Sequence, residues 1–338
     1  MKQAVFSLAL CAAVSLAAAS ATAATLDDVK AKGHVQCGVS QGLIGFSQPD
    51  DANRWTGLDV DFCRAVAAAI FNDPEAVRFT PLTAKDRFTA LQSGEVDVLS
   101  RNTTWTMGRD TALGLKFAGV TYYDGQGFMV KKDLGVSSAS ELGGASVCTQ
   151  TGTTTELNLA DYFRANNMEY EVVAFENNDE VIAAYEAGRC DVFTTDASGL
   201  YATRLRFANP EEHMVLPEII SKEPLGPVVR QGDDQWFNVV KWTYYALLVA
   251  EELGVAQDNV DEMMTSENPE IKRLVGAEGS FGEAIGLSND WAVNIIKAVG
   301  NYGEIFNRNV GPDSRLGIDR GLNRLWTEGG IQYGMPIR

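Results

Sequence analysis

The sequence predicts an α/β protein of two lobes, each a parallel or mixed sheet flanked by helices, with a helical C-terminal extension. Three observations carry that prediction. Segments patterned as strands and helices alternate as β-α-β-α-β between His34 and Leu99, the order that builds a parallel sheet with helices on its faces. A local repeat follows: Ala90-Leu91-Gln92-Ser93-Gly94-Glu95-Val96-Asp97-Val98 aligns without gaps to Ala184-Tyr185-Glu186-Ala187-Gly188-Arg189-Cys190-Asp191-Val192. The two copies share Ala, Gly and Asp-Val, and two lobes of similar build are their simplest explanation, although a match this short also arises by chance. Finally, the chain left after an N-terminal leader, about 315 residues, exceeds the usual single-domain range.

The leader is read from Lys2, the Ala/Leu/Val-rich stretch Ala4 to Ala18, and Ala21-Thr22-Ala23, the small-residue pattern of a secretory cleavage site; cleavage is expected after Ala23. Its apolar core is too short for a membrane span, and no later run of eighteen apolar residues occurs. Cys11 lies inside that core behind Leu10, where a lipidation site would carry a small residue.

His34 to Val39 reads as a buried strand and Ser40 to Ser47 as the loop leaving it, with Gly42 and Gly45 allowing close backbone approach. A helix from about Gly57 to Phe71 places Leu58, Phe62, Ala65, Val66 and Ala69 on one face, with Asp59 and Asp61 in its first turn. Val77 to Leu82 is a second strand. Thr83 caps a helix that Gly94 ends. Val96 to Leu99 is the third strand.

Gly127 to Val130 and Ala145 to Thr149 begin the second lobe, and the helix Leu157–Asn166 opens after Gln150-Thr151-Gly152-Thr153-Thr154-Thr155-Glu156. Free N–H groups at a helix start beside hydroxyls form an anion site; an ordinary capping segment accounts for one of the three threonines. Ser221 to Gln231, with Pro224, Gly226 and Pro227, reads as a strand crossing back to the first lobe. Gln235 to about Leu253 is amphipathic. Trp291, Ile295, Val299, Tyr302 and Phe306 follow helical spacing after a Ser288 cap, and Leu322, Leu325 and Trp326 suggest a shorter final helix. This extension reads as cladding on the first lobe.

The stretch Val96–Asp110 organises the chemistry. An apolar strand turns abruptly into Asn102, Thr103, Thr104 and Arg109, as at a strand end opening onto a cleft, where ligands of open α/β sheets collect. The planar guanidinium suits a carboxylate, and the neighbouring groups add donors, so the residues describe a pocket for a small acid. An exposed turn would carry the same residues. Carrying the repeat's register forward sets Asn102 opposite Asp196, each five residues beyond its Asp, so that an amide and a carboxylate face one cleft.

Other chemistries fare poorly. A net charge of −17 argues against nucleic acid. With two histidines, His34 and His213, neither a zinc cluster nor a histidine-based triad has enough members. There is no phosphate loop, and the glycine-rich stretch Gly276 to Gly286 lacks a preceding strand. No metal or cofactor is called for. Four cysteines remain after the leader, in a compartment that permits disulfides. The pairing Cys37–Cys63 and Cys148–Cys190 keeps each bond within one lobe; four buried free thiols are the alternative.

On these residues the chain resembles the polar amino acid-binding family of periplasmic solute-binding proteins that feed ABC importers, and within it the larger general L-amino acid-binding subgroup. The resemblance runs through Gly57-Leu58-Asp59-Val60-Asp61, Leu91-x-x-Gly94-x-x-Asp97, Thr104-x-Thr106-x-x-Arg109, Gln150-Thr151-Gly152-Thr153-Thr154 and the Asp191 to Asp196 strand end. Asn294-x-x-Lys297-Ala298-Val299-Gly300-Asn301-Tyr302-Gly303 is similar to the larger subgroup alone. The resemblance implies a type II periplasmic binding protein fold. It implies that Arg109 holds a ligand α-carboxylate together with backbone at Asn102 and Thr104 and with N–H or hydroxyl groups of Thr153 and Thr154, and that Asp196 accepts the α-ammonium. Ser40 stands where relatives selective for basic side chains often carry an acid, and Leu43 where they carry a covering aromatic. That implies a permissive side-chain pocket, served by water and by Trp105 or Gln41.

The expectation is therefore a leader over 1–23, lobe 1 over 24–124 and 228–338 with its extension, and lobe 2 over 125–227. The protein would be a periplasmic, monomeric binding component that closes over L-amino acids of several kinds and meets the membrane permease subunits of an ABC transporter. An exported dehydratase or lyase of small carboxylic acids on the same scaffold is the alternative, and a sensor module would share the site.

Overall fold

The computed structural model describes residues 24–338; the expected leader, its cleavage position and Cys11 lie outside the described residues. Two five-stranded sheets form the body of the molecule, one per lobe. In the first the strands run Val77–Leu82, Val35–Ser40, Val98–Leu99, Val228–Arg230 and Leu115–Phe117, in that spatial order. The second runs Glu171–Phe175, Ser146–Gln150, Val192–Asp196, Gln126–Lys131 and His213–Val215. In each sheet the first three strands are parallel and the fourth is antiparallel to its neighbours. Both sheets are therefore mixed.

The chain passes between them along a ribbon in which Tyr122–Asp124 pairs antiparallel with Glu223–Leu225. Pro224 cannot donate to a sheet ladder and Gly226 approaches Gly119 so closely that an added Cβ would lie 1.9 Å from the Gly119 carbonyl oxygen, so the return crossing stays narrow.

The repeat has a structural meaning. Gly94 and Gly188 both take left-handed φ (81° and 72°), ending their helices, and the N–H groups of Glu95 and Arg189 donate to the carbonyls of Ala90 and Ala184. Two residues on, the Asp97 carboxylate accepts the Gln36 N–H (2.7 Å) and the Asp191 carboxylate accepts the Ser146 N–H (2.8 Å). Each carboxylate thus fixes the start of the lobe's central strand pair. The same device also shortens the third strand of lobe 1, which begins at Val98 rather than Val96, since Asp97 lies at its entrance.

The long helices follow their apolar stripes. Leu58–Phe71 starts at Gly57 (φ 128°), where a Cβ would stand 2.1 Å from the Phe46 carbonyl oxygen, and ends at Asn72 in the left-handed region. Asp233 caps Asp234–Glu252 by accepting the Trp236 N–H at 2.9 Å. The helix after Thr83 starts one turn later than the capping signal indicates, at Arg87, because Thr83 closes a hydroxyl–carboxylate turn with Asp86. Disulfide bonds join Cys37 to Cys63 and Cys148 to Cys190.

Two expectations for the extension are corrected. The stripe from Trp291 to Phe306 is two helices, Trp291–Val299 and Tyr302–Asn309. Gly300 breaks the path at φ 75° and ψ −169°, and Asn301 with Glu304 forms a capping box that restarts it; Ser288 caps nothing, and the first helix begins after Asp290. The expected final helix is two short 3₁₀ turns, Gly321–Asn323 and Trp326–Glu328. Trp291, Ile295, Val299, Tyr302 and Phe306 lie in one buried cluster with Val35, Val39 and Trp236 of the first lobe. Asp61 binds the extension directly, accepting from Arg308 Nε (2.9 Å) and Asn309 Nδ2 (2.6 Å). Gly45 is required for the same packing, since a Cβ there would meet Leu316 and Asn309.

Candidate functional site

The strand ends of the two lobes face each other across a cleft that encloses about 570 Å³, its mouth included. On the lobe 1 side its wall is Ser40, Gln41, Gly42, Leu43, Arg101 and Asn102; on the lobe 2 side it includes Gln150, Asn178, Thr195 and Asp196. The Lys85–Glu176 ion pair (2.7 Å) spans the lips, and Gly152 (φ 74°) brings the second lobe within 3.3 Å of the Lys85 Cα, measured from the Cβ it lacks.

The lobe 1 wall is set by Asp59. Its two oxygens accept from Ser100 Oγ (2.8 Å) and the Asn102 N–H (2.9 Å), which holds Asn102 at φ 32° as the chain leaves the strand. Burial pushes the Asp59 carboxyl up to about 6, against the lowering pull of those hydrogen bonds and of Arg101. Arg101 is buried, donating from Nε to the Leu82 carbonyl (3.1 Å) and from Nη1 to Asn102 Oδ1 (3.4 Å). Ser47 donates to Ser40 Oγ at 3.0 Å, so the Ser40 loop is pinned at its base.

Beyond Asn102, Thr106 accepts the Arg109 N–H (3.3 Å) and caps the short helix Met107–Ala112. That turn carries the Arg109 side chain inward. Its Nη1 donates to the Thr104 carbonyl (2.9 Å), and its guanidinium lies 5.1 Å from the Phe88 ring centroid, a ring that also carries Arg87 at 4.8 Å.

On the lobe 2 side Thr153 is the N-cap of the helix Thr154–Ala165, accepting the Glu156 N–H. Thr154 Oγ1 stands 3.3 Å from Thr104 Oγ1 of the other lobe, beside the cleft, and both hydroxyls donate to Glu223 Oε2, at 2.8 and 2.6 Å. Glu223 Oε1 accepts from Asn158 (2.7 Å) and Ser221 (2.6 Å), so this carboxylate of the crossing ribbon ties both lobes together.

Asp196 ends its strand at the N-cap position of the next helix, yet its side chain caps nothing there. It is buried in the cleft. Burial raises its carboxyl well above the ordinary range, aided by Asp124 and Glu223 and opposed by Arg87 and Arg109. Burial likewise lowers Arg109, opposed by Glu223 and Asp196. Among the described residues neither Asp196 nor Arg109 has an ion-pair partner within 4.0 Å; each faces opposite charge from the other lobe at longer range. Buried charges of opposite sign left apart favour a guest that is itself charged at both ends.

Residues 35–259 match the model of the bacterial extracellular solute-binding proteins, family 3. The chain belongs to this family. It is 65% identical, over the whole length of both proteins, to the general L-amino acid-binding periplasmic protein AapJ of Rhizobium johnstonii. Identity is 55% over 97% of each chain with the glutamate/glutamine/aspartate/asparagine-binding protein BztA of Rhodobacter capsulatus. An ABC transporter periplasmic binding protein from Brucella ovis, solved with glutathione bound, superposes with a TM-score of 0.92 at 63% identity, covering 94% of this chain and all of that one. The fold is the type II periplasmic binding protein fold. The family and these relatives are binding proteins of transport systems, and the dehydratase or lyase alternative finds no support among them.

Of the residues singled out by sequence, Ser40, Leu43, Asn102 and Asp196 share the cleft wall, Arg109, Thr104 and Thr154 gather beside it at the hinge end, and Thr153 caps the helix that Thr154 begins, its hydroxyl donating to the Gln150 carbonyl. Trp105 is not brought to the cleft: its ring stacks on Phe117 (centroids 5.4 Å apart, 5° between planes) and is 39% exposed. Gln41 lines the wall instead. Sequence reasoning missed Arg101, Asp59 and Glu223. Arg101 adjoins Asn102 in the organising stretch, and Glu223 is a lone carboxylate among the prolines and glycines of the crossing; both carried a signal. Asp59 carries in the sequence only the signal of a helix-dipole residue.

Proposed function

We propose that this protein is the periplasmic binding component of an ABC importer for L-amino acids of several kinds, closing its two lobes (24–124 with 228–338, and 125–227) over the ligand. Arg109 and the N–H groups at Thr104, Thr153 and Thr154 take the α-carboxylate; Asp196 takes the α-ammonium. The Thr104 and Thr154 hydroxyls are already committed to Glu223, which leaves their backbone donors for the ligand. The Asn102 N–H, expected on the α-carboxylate, is committed to Asp59, so Asn102 joins Ser40 and Leu43 in bordering the side chain. The observation that carries this reading is the pair of buried groups of opposite charge, one per lobe and neither in an ion pair, with Asp196 in the cleft wall and Arg109 beside it, near enough to act on each other.

Pairing both with one zwitterion removes two desolvation penalties at once, and the gain is available only when the lobes are closed. The closed protein, a monomer released from its leader by cleavage after Ala23, then meets the permease subunits. A calorimetric panel of the twenty amino acids tests the proposal. Several members should bind, and a ligand at a hundred times Kd should stabilise the fold by about 2.7 kcal/mol; no response to any member would overturn it.

A further inference from the structure

We infer that Arg101 is a specificity-determining residue, its guanidinium receiving the carboxylate or amide oxygen at the far end of the ligand's side chain. The inference rests on the amino acid-binding reading above and names the side-chain class that this site favours.

Three features of Arg101 support it. The residue shares its wall of the cleft with Ser40, Gln41 and Leu43, whereas Arg109, Thr104 and Thr154 do not border that space. Arg101 is therefore at the side-chain end of the cleft and Arg109 at the α-carboxylate end. Two of its nitrogens are fixed, Nε on the Leu82 carbonyl and Nη1 on Asn102 Oδ1, which locks the plane of the guanidinium; among the described residues Nη2 makes no hydrogen bond and is not sealed from the cleft. Finally, no carboxylate stands within 4.0 Å of the guanidinium among the described residues, although the residue is only 5% exposed. Asp59 and Asp196 act on it from farther away, and burial lowers its pKa to about 10, which leaves it a cation at neutral pH.

A buried, oriented cation with a spare donor rewards an acceptor and penalises both an apolar tip, which leaves it unpaired, and a basic tip, which repels it. The rest of the lobe 1 wall is uncharged, with Ser40, Gln41 and Asn102 polar and Leu43 apolar, and on the lobe 2 side the Asp179 carboxylate is already paired with Arg206 at 2.8 Å, so the arginine dominates the choice. L-glutamate, L-glutamine, L-aspartate and L-asparagine belong to the favoured class.

Titration calorimetry on the full mature chain tests this with L-glutamate, L-glutamine, L-leucine and L-arginine as probes, for the wild type, Arg101→Met and Arg101→Lys. The wild type should bind glutamate and glutamine at least about tenfold more tightly than leucine or arginine. Arg101→Met should weaken glutamate and glutamine by about 10- to 100-fold more than leucine. Arg101→Lys, which keeps the charge without the fork, should fall between them. Equal losses for all four ligands would overturn the inference by making Arg101 an α-carboxylate or folding residue, and so would an unchanged ligand order. If Arg101→Met fails to fold, the wild-type ranking and Arg101→Lys decide: a wild type that binds leucine as tightly as glutamine contradicts it. A wild type that binds none of the probes strikes the amino acid-binding reading itself.

Discussion

The two lobes are the same device with different endings. Both use a left-handed glycine to stop a helix, an aspartate to hold the neighbouring strand's N–H, and three parallel strands beside one antiparallel strand. The antiparallel strand is Val228–Arg230, from the returning chain, in lobe 1, and Gln126–Lys131, from the entering chain, in lobe 2. The endings diverge. In lobe 1 the third strand stops at Leu99 and turns into Ser100-Arg101-Asn102, whereas in lobe 2 it continues along Gln126 to Asp196. Register carries the shared scaffold and the residues at and beyond the end of the third strand set which charge is delivered, so one lobe offers guanidinium groups and the other a carboxylate.

The sharpest way to break the comparison is to alter the endings alone. Arg109→Ala and Asp196→Asn should each weaken every amino acid alike by about 3–5 kcal/mol, two orders of magnitude or more, as measured by titration calorimetry. A loss confined to some ligands would show that the altered residue meets side chains.

Altering the shared scaffold should change stability and leave ligand order alone. Here the lobes differ in degree. The disulfides close loops of 26 and 42 residues, so on the chain-entropy model Cys37→Ser/Cys63→Ser should cost about 3.5 kcal/mol and Cys148→Ser/Cys190→Ser about 3.9 kcal/mol in denaturant unfolding. Two separated transitions would mean that the lobes unfold independently.

The paired aspartates refine the contrast. Asp97 is buried and also accepts from Lys32 Nζ, whereas Asp191 is exposed and bound to Ser146 alone. Asp97→Ala should therefore cost about 2–3 kcal/mol and Asp191→Ala about 1 kcal/mol by chemical denaturation. Equal costs would mean that burial does not distinguish the two copies.

The smallest effects are those of pH, and the two kinds of carboxylate respond in opposite directions. Asp59 and Asp124 are raised from 3.8 to about 6, chiefly by burial, so their ionisation opposes folding: their contribution is most favourable below about pH 4 and declines as pH rises through about 6. Asp191 is lowered by its hydrogen bonds from Ser146, so its contribution is present above 3.8 and is lost as pH falls through its folded value. Asp196, raised well above 3.8, must be ionised to meet an ammonium group, so ligand binding should release a proton and tighten with rising pH. Calorimetry in buffers of different ionisation enthalpy reads that proton directly; proton uptake would contradict the assignment.

Much of this was legible in the sequence where local chemistry decides. The Leu58–Phe71 stripe and the Gly94 stop announce themselves through spacing, and the register of the repeat carries Asp196 to a strand end. What hid was decided by contacts distant in the chain. Helical periodicity runs straight through Gly300, and only the left-handed turn with the Asn301–Glu304 box breaks it. Trp105 neighbours the ligand stretch in sequence but stacks away from the cleft on Phe117, and Asp59 reaches Asn102 from a helix more than forty residues earlier. Glu223 meets Thr104 and Thr154 only because two lobes and a crossing strand converge.

The account stands on opposite charges from the two lobes sharing one zwitterion, and a crystal structure with an L-amino acid bound measures that most directly. It should place the α-carboxylate in hydrogen-bond contact with the Arg109 guanidinium and the α-ammonium in contact with the Asp196 carboxylate of the same closed molecule. A bound amino acid that touches neither group, or whose two charged ends both lie on one lobe, would contradict it.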